Sequence, residues 1–263
     1  MGLSCASLKG AAWTQGQGQG QIILNFSFMD SSRWFDSSRK LQSFSDHGSF
    51  RQVAINPYVE YGLNSKTTLV LNTFVSSMKY ANDFGSASSS GLGDTELGVR
   101  RRLTGESRTV VSVQFTVKFP MYPADRTPAP GNHQIDLEPG AMVGRGGTLA
   151  ARHVFVGAGA AYRHRDGAPA DQFRSDVTFG MDFTRRFTGL VQYFGITGLR
   201  NGAPVRTGGN PNVQSDFDLY KNQFSLVTRV QSHTRLQMGW VASFSGRNTG
   251  AGGALLAALW RDF

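Results

Sequence analysis

Residues 91–103 read GLGDTELGVRRRL, and their alternation decides the fold. A strand sends successive side chains to opposite faces. Thr95, Leu97, Val99 and Leu103 then share one face with Arg101. Asp94, Glu96, Arg100 and Arg102 share the other, with Gly98 between them. One face is mostly apolar and the other is charged. The same alternation recurs along almost the whole chain in segments of about 10–13 residues, a length that spans a bilayer when a strand is tilted. We therefore expect the charged face to line the inside of a barrel and the apolar face to meet lipid. In a soluble β-sandwich the two faces would exchange places.

Composition agrees with strands. The chain has 263 residues, 40% of them apolar, and a mean hydropathy of −0.27. No apolar run reaches the length of a transmembrane helix. A barrel needs none, because half of each strand faces a polar interior. The 32 glycines and 19 phenylalanines suit turns and strands. Net charge is +9, but the basic residues are dispersed, without a basic helix or an RNA-binding motif, so no nucleic-acid partner is expected. In loops they could meet lipopolysaccharide phosphates. Cys5 is the single cysteine, which excludes an intrachain disulfide. No apolar core precedes it to make a lipid-attachment signal. Residues 1–12 likewise lack a signal-peptide core, so an exported barrel with this start is expected to have lost its signal peptide or to begin at a misplaced start.

Taken in order, residues 1–19 are polar and end in QGQGQ at 15–19. They read as a flexible lead-in, and 20–263 as the barrel. Strands are expected over 21–30, 50–62, 67–80, 91–103, 108–119, 134–144, 149–163, 172–183, 187–197, 214–229, 235–244 and 252–263. The alternation does not decide the facing of 67–80 or 187–197. Pro57 and Pro139 fall on apolar faces, where a missing N–H is awkward. Long loops (31–49, 81–90, 120–133, 164–171, 198–213, 245–251) alternate with short turns. That sorting is the signature of an up-and-down barrel with short periplasmic turns and longer extracellular loops. The fold class expected is all-β: a single antiparallel up-and-down transmembrane β-barrel of about 12 strands, in the bacterial outer membrane. The end, LLAALWRDF, places Leu255, Ala257, Leu259 and Phe263 at alternating positions, as in strands handed to the barrel-assembly machinery. Arg261 departs from that pattern.

SGLGDTELGVRRRL resembles the GLGD-x-x-LG-x-(K/R)-(Y/R)-R-L stretch of the outer-membrane channel family linked to the meta-pathway of phenol degradation. NPYVEYGL at 56–63, SGRNTG at 245–250, the start AAWTQGQGQGQII and the ending LLAALWRDF are similar too. The resemblance covers roughly residues 12–263. It implies an outer-membrane barrel and carries no catalytic residues. Related proteins also occur beside exopolysaccharide or biofilm gene sets.

No catalytic, cofactor or metal site is expected. The five histidines do not pair at metal-ligand spacing. His47-Gly48-Ser49 has the spacing of a barrel phospholipase but lies in a loop. Gly157-Ala158-Gly159 precedes no helix and is not a dinucleotide fingerprint. The candidate site is the lumen. Toward the outside it is expected to carry Asp94, Glu96, Lys118, Asp136, Glu138, Arg163, Arg174 and Asp176, an acid-rich set. Toward the periplasm come Glu60, Arg100, Arg102, Asp182, Arg229 and Arg235, a base-rich set. Lys221 shares the inner face. Lys118, between the Asp94/Glu96 strand and the Asp136/Glu138 strand, should cross-link them. These charges suggest a narrow channel for small solutes. The alternatives are an occluded barrel that anchors surface polysaccharide and, less favoured, a barrel enzyme.

Overall fold

A computed structural model describes residues 12–105, 108–131, 133–203 and 214–263. The described residues form strands and no helix: β1 Gly20–Phe35, β2 Leu41–Ser43, β3 Ser49–Asn64, β4 Thr67–Asn82, β5 Gly85–Arg102, β6 Thr109–Pro120, β7 Asp136–Leu149, β8 Arg152–Arg165, β9 Gln172–Asp182, β10 Phe187–Gly198, β11 Asp218–Gln231, β12 Thr234–Arg247 and β13 Thr249–Asp262. Each long strand pairs with the next in sequence. β13 then pairs antiparallel with β1, from Gln21 opposite Asp262 to Phe35 opposite Thr249. The wall is thus a closed barrel of twelve strands. The short β2 folds back on the end of β1.

Closure leaves no sheet edge, which is what a strand protein needs in lipid. The outer surface is apolar, with Phe26, Ile55, Leu97, Val99, Phe115, Val177, Phe224 and Trp240 all exposed. Soluble monomers rarely expose so much apolar surface. The interior instead buries Asn25, Asn56, Glu60, Thr68, Asn72, Arg100, Ser112, Thr116, Thr178, Gln192 and Gln223. The soluble sandwich is inverted relative to this arrangement and is excluded.

Register settles the two undecided faces. Val70, Asn72, Phe74 and Met78 of β4 point inward, and Leu69 and Val75 outward. In β10, Leu190, Gln192, Phe194 and Ile196 point inward and Val191 outward. Pro57 is accommodated by its neighbour: Asn56 Nδ2 donates to the Thr73 carbonyl, which lies opposite the proline.

Three expected loops are shorter than the sequence suggests. β4 and β5 continue as a hairpin to Asp83-Phe84, with Asn82 opposite Gly85, so 81–90 is not a loop. β1 runs to Phe35 within the expected 31–49 loop. β12 and β13 turn at Asn248, in the left-handed region. Beyond the bilayer both faces of a strand meet water, so Ser86, Ser88, Ser89 and Ser90 extend β5 without any apolar alternation.

Candidate functional site: the barrel lumen

The lumen is divided into two connected cavities above a closed floor. The outer cavity has a volume of about 300 Å³. The loop after β6 folds in to bound it. Pro128, Ala129, Pro130 and Gly131 line the cavity, with Ser89 Oγ donating to the Pro128 carbonyl at 2.6 Å and Arg126 to the Leu92 carbonyl at 2.9 Å. Its walls are chemically unlike. Phe44, Phe50, Phe74, Met78, Leu219 and Val241 supply an apolar side, and β5 to β9 supply charges.

Those charges form a cross-linked layer. Lys118 Nζ lies 3.0 Å from Asp94 Oδ2 and 3.0 Å from Asp136 Oδ2. It therefore bridges Asp94 to Asp136, while the Glu96 and Glu138 partners are arginines. Arg163 donates to Glu96 and Glu138, each at 2.6 Å, and lies 3.8 Å from Asp136. Arg174 reaches Glu138 at 3.1 Å and lies 3.7 Å from Glu96. Asn72 Nδ2 donates to Glu96 at 2.8 Å. Four carboxylates packed this closely would repel or take up protons without cations between them.

Below lies a cavity of about 130 Å³, lined by Tyr58, Gln114, Met142, Asp176, Phe194 and Lys221 among others. Asn72, Glu96, Arg174, Ile196 and Lys221 line both cavities and form the passage between them.

The floor is built on Glu60 and Arg100, which pair at 2.8 Å and are both buried. Tyr58 Oη donates to Glu60 Oε1 at 2.5 Å, and Arg100 Nε donates to Gln114 Oε1 at 3.0 Å. Onto this pair folds the segment preceding β1. Gln15 Nε2 donates to Glu60 Oε2 at 2.7 Å, Arg100 to the Trp13 carbonyl at 3.0 Å, and Ser112 Oγ to the Ala12 carbonyl at 2.5 Å. Trp13 packs against Phe155, Leu190 and Val227. The flexible lead-in expected over 1–19 is therefore not what residues 12–19 form; they plug the end of the barrel that carries the short turns. Residues 1–11 of that expected stretch lie outside the described residues. Gly62 permits the approach: a Cβ there would sit 2.0 Å from the Gly16 carbonyl oxygen.

Several expected lumen residues sit at the rim instead. Arg102 donates to the Ser65 carbonyl in the β3–β4 turn. Asp182 accepts from Thr188 Oγ1 at 2.6 Å and is partly exposed. Arg229 is exposed near the end of β11. Arg235 pairs with Asp262 and stacks over Trp260. None of them lines either cavity. The strands reach the edge of the barrel at these positions, so inner-face parity there no longer means enclosure. The outer end also carries charges that the expected set left out. Asp216 and Asp218 add acids there, and bases come from Arg165, buried against the carbonyls of Ala170 and Ser215, and from Arg247, paired with those two aspartates. Both arginines lie at strand ends that the alternation did not reach. Trp13 and Gln15 were missed as well; an isolated tryptophan in a polar lead-in was the available signal.

His47 is exposed and bonds Asp83 at 2.8 Å, away from any cavity lining. Gly159 has a packing role: a Cβ there would lie 2.4 Å from Asp176 Oδ1. Among the described residues no His, Cys, Asp and Glu cluster could hold a metal.

The chain superposes on solved outer-membrane barrels. With the COG4313 outer membrane channel from Pseudomonas putida F1 the TM-score is 0.70, at 12% identity, covering 97% of this chain and 98% of that one. The fold is that of the bacterial outer-membrane β-barrels. Its place is the outer membrane, where the apolar belt meets lipid. The translocator domain of the autotransporter NalP from Neisseria meningitidis is also similar, with a TM-score of 0.52 at 9% identity, covering 95% and 90% of the two chains. No sequence-family model and no curated protein matches the chain.

Proposed function

We propose that this barrel is a narrow, gated channel for small solutes, with residues 12–19 as the gate. The observation that carries the reading is the pair of connected cavities, bounded by charged side chains and blocked at one end by a short segment rather than by the wall. Ala12, Phe263 and the short turns share that end, which is the periplasmic end in up-and-down outer-membrane barrels. Solutes then enter from outside and leave when the plug withdraws. The likeness to an outer-membrane channel supports this reading, as does the resemblance of GLGDTELGVRRRL to the meta-pathway channel group. Uptake, rather than a polysaccharide anchor, is the reading that a solute-sized cavity at the outer end favours. The closing strand β13, ending beside Phe263, is the segment we assign to the barrel-assembly machinery. Exposed Arg51 and Lys79 at the outer end of β3 and β4 suit lipopolysaccharide phosphates.

Planar-bilayer recordings test the channel. The full chain should show brief, rare openings, and a chain lacking residues 1–19 should stay open far longer. Silence from both at every voltage would leave an occluded scaffold as the function.

A further inference from the structure

Two charged side chains of the lower cavity stand outside the ion-pair network. Asp176 of β9 and Lys221 of β11 both line the cavity. Neither has a hydrogen bond or an ion pair within 4 Å to another described residue. They sit in one row of the wall: Asp176 is opposite Phe194, and Phe194 is opposite Lys221. Adjacent strands are about 4.8 Å apart, so the two Cα atoms are about 10 Å apart. Phe194, which lines the same cavity, occupies the strand between them. Gly159 leaves the space that the Asp176 carboxylate fills.

An enclosed charge without a partner is costly even when only partly buried, and here two of opposite sign face one space. A single ligand carrying both opposite charges would satisfy them together. We propose that the lower cavity binds a small zwitterion of the amino-acid type. Its carboxylate accepts from Lys221 Nζ, with Arg174 near the entrance adding attraction, and its ammonium donates to Asp176. The charged groups of such a solute are about 3 Å apart, and two hydrogen bonds of about 2.8 Å extend the span to about 8–9 Å, within reach of two side chains rooted about 10 Å apart. The cavity, at about 130 Å³, holds the volume of only about four waters at about 30 Å³ each. That is the scale of a small amino acid. The inference rests on the reading of the lumen as a solute passage, because the ligand must arrive through the outer cavity.

Equilibrium dialysis of radiolabelled alanine against the detergent-solubilised full chain tests the site directly, whether or not the barrel conducts. Propionate and ethylamine serve as half-ligands. Alanine should bind at least tenfold more tightly than either. Asp176→Asn should weaken alanine at least tenfold and leave propionate unweakened, whereas Lys221→Gln should weaken both. Gel mobility before and after boiling checks that each variant is folded. If either neutral variant fails to fold, Asp176→Glu and Lys221→Arg take its place, and each should retain alanine. The proposal is overturned if alanine shows no saturable binding at millimolar concentration, binds no better than propionate, or is insensitive to both neutral substitutions.

Discussion

Glu60 is wholly enclosed, and a carboxylate in that position must be compensated. Arg100, Tyr58 and Gln15 supply three hydrogen bonds to it. Removing one partner from a buried pair leaves an uncompensated charge, at a cost of about 3–5 kcal/mol, whereas removing both is often close to neutral. Arg100→Met should therefore lower barrel stability by about that amount in urea titrations, and Glu60→Gln with Arg100→Met should recover most of it. A double variant as unstable as the single one would sink this account. At the exposed outer rim, the hydrogen bond to Asp83 raises the pKa of His47, with the Asp83 charge adding to the effect. A raised folded value means that the contact stabilises the protonated ring. Its contribution is full below the unfolded value of about 6.5 and is lost as pH rises through the folded value. NMR titration should find His47 above about 6.5, and Asp83→Asn should bring it back. An unshifted ring in the unsubstituted protein would contradict the contact.

At the scale of elements, the plug is the part that moves in our reading, and one glycine sets its seat. A Cβ at Gly144 would lie 2.3 Å from the Trp13 ring. Gly144→Val should push Trp13 off Phe155, Leu190 and Val227 and raise the open probability in planar bilayers. An unchanged open probability would show that the plug is not the gate. The strands were legible because membrane and lumen impose opposite demands on alternate positions. β6 shows this plainly, with Val113 and Phe115 against Ser112, Gln114 and Thr116. β4 and β10 resisted because their inner faces are partly apolar as well: Val70, Phe74 and Met78, or Leu190 and Phe194, pack inside the barrel beside Asn72 and Gln192. QGQGQ at 15–19 resembles a linker, so Trp13 was the one sign in the sequence that residues 12–19 lie inside.

Across the whole molecule, depth governs what a substitution costs. Leu97 lies on the outer face well inside the belt, and Arg101 lies at its periplasmic margin. An arginine near the bilayer midplane costs about 2–4 kcal/mol, and near an interface about 0–1. Leu97→Arg should thus destabilise the folded barrel by the larger amount, and Arg101→Leu should change it little. Equal effects in lipid-reconstituted unfolding would mean that the belt is placed wrongly. The same scale explains what was legible of the site. Lys118 could be placed between Asp94 and Asp136 because β5, β6 and β7 are sequential neighbours. Arg163 meeting Glu96 could not, because β8 reaches β5 only across the lumen of a closed barrel. Nor could parity distinguish Arg100, at the floor, from Arg102, at the rim.

The barrel wall closes around its own leading segment, and this imposes an order on biogenesis. The chain passes from plug to wall at Gly20, whose N–H donates to the Phe263 carbonyl while the Phe263 N–H donates back. This is the seam where the first and last long strands meet. Once that seam has zipped, residues 12–19 cannot be threaded in from the side. They must already lie within the curling sheet when β13 finds β1. Substitutions that loosen Trp13 should accordingly appear first as slow maturation, with unclosed chains accumulating after synthesis, before any change in permeability can be measured.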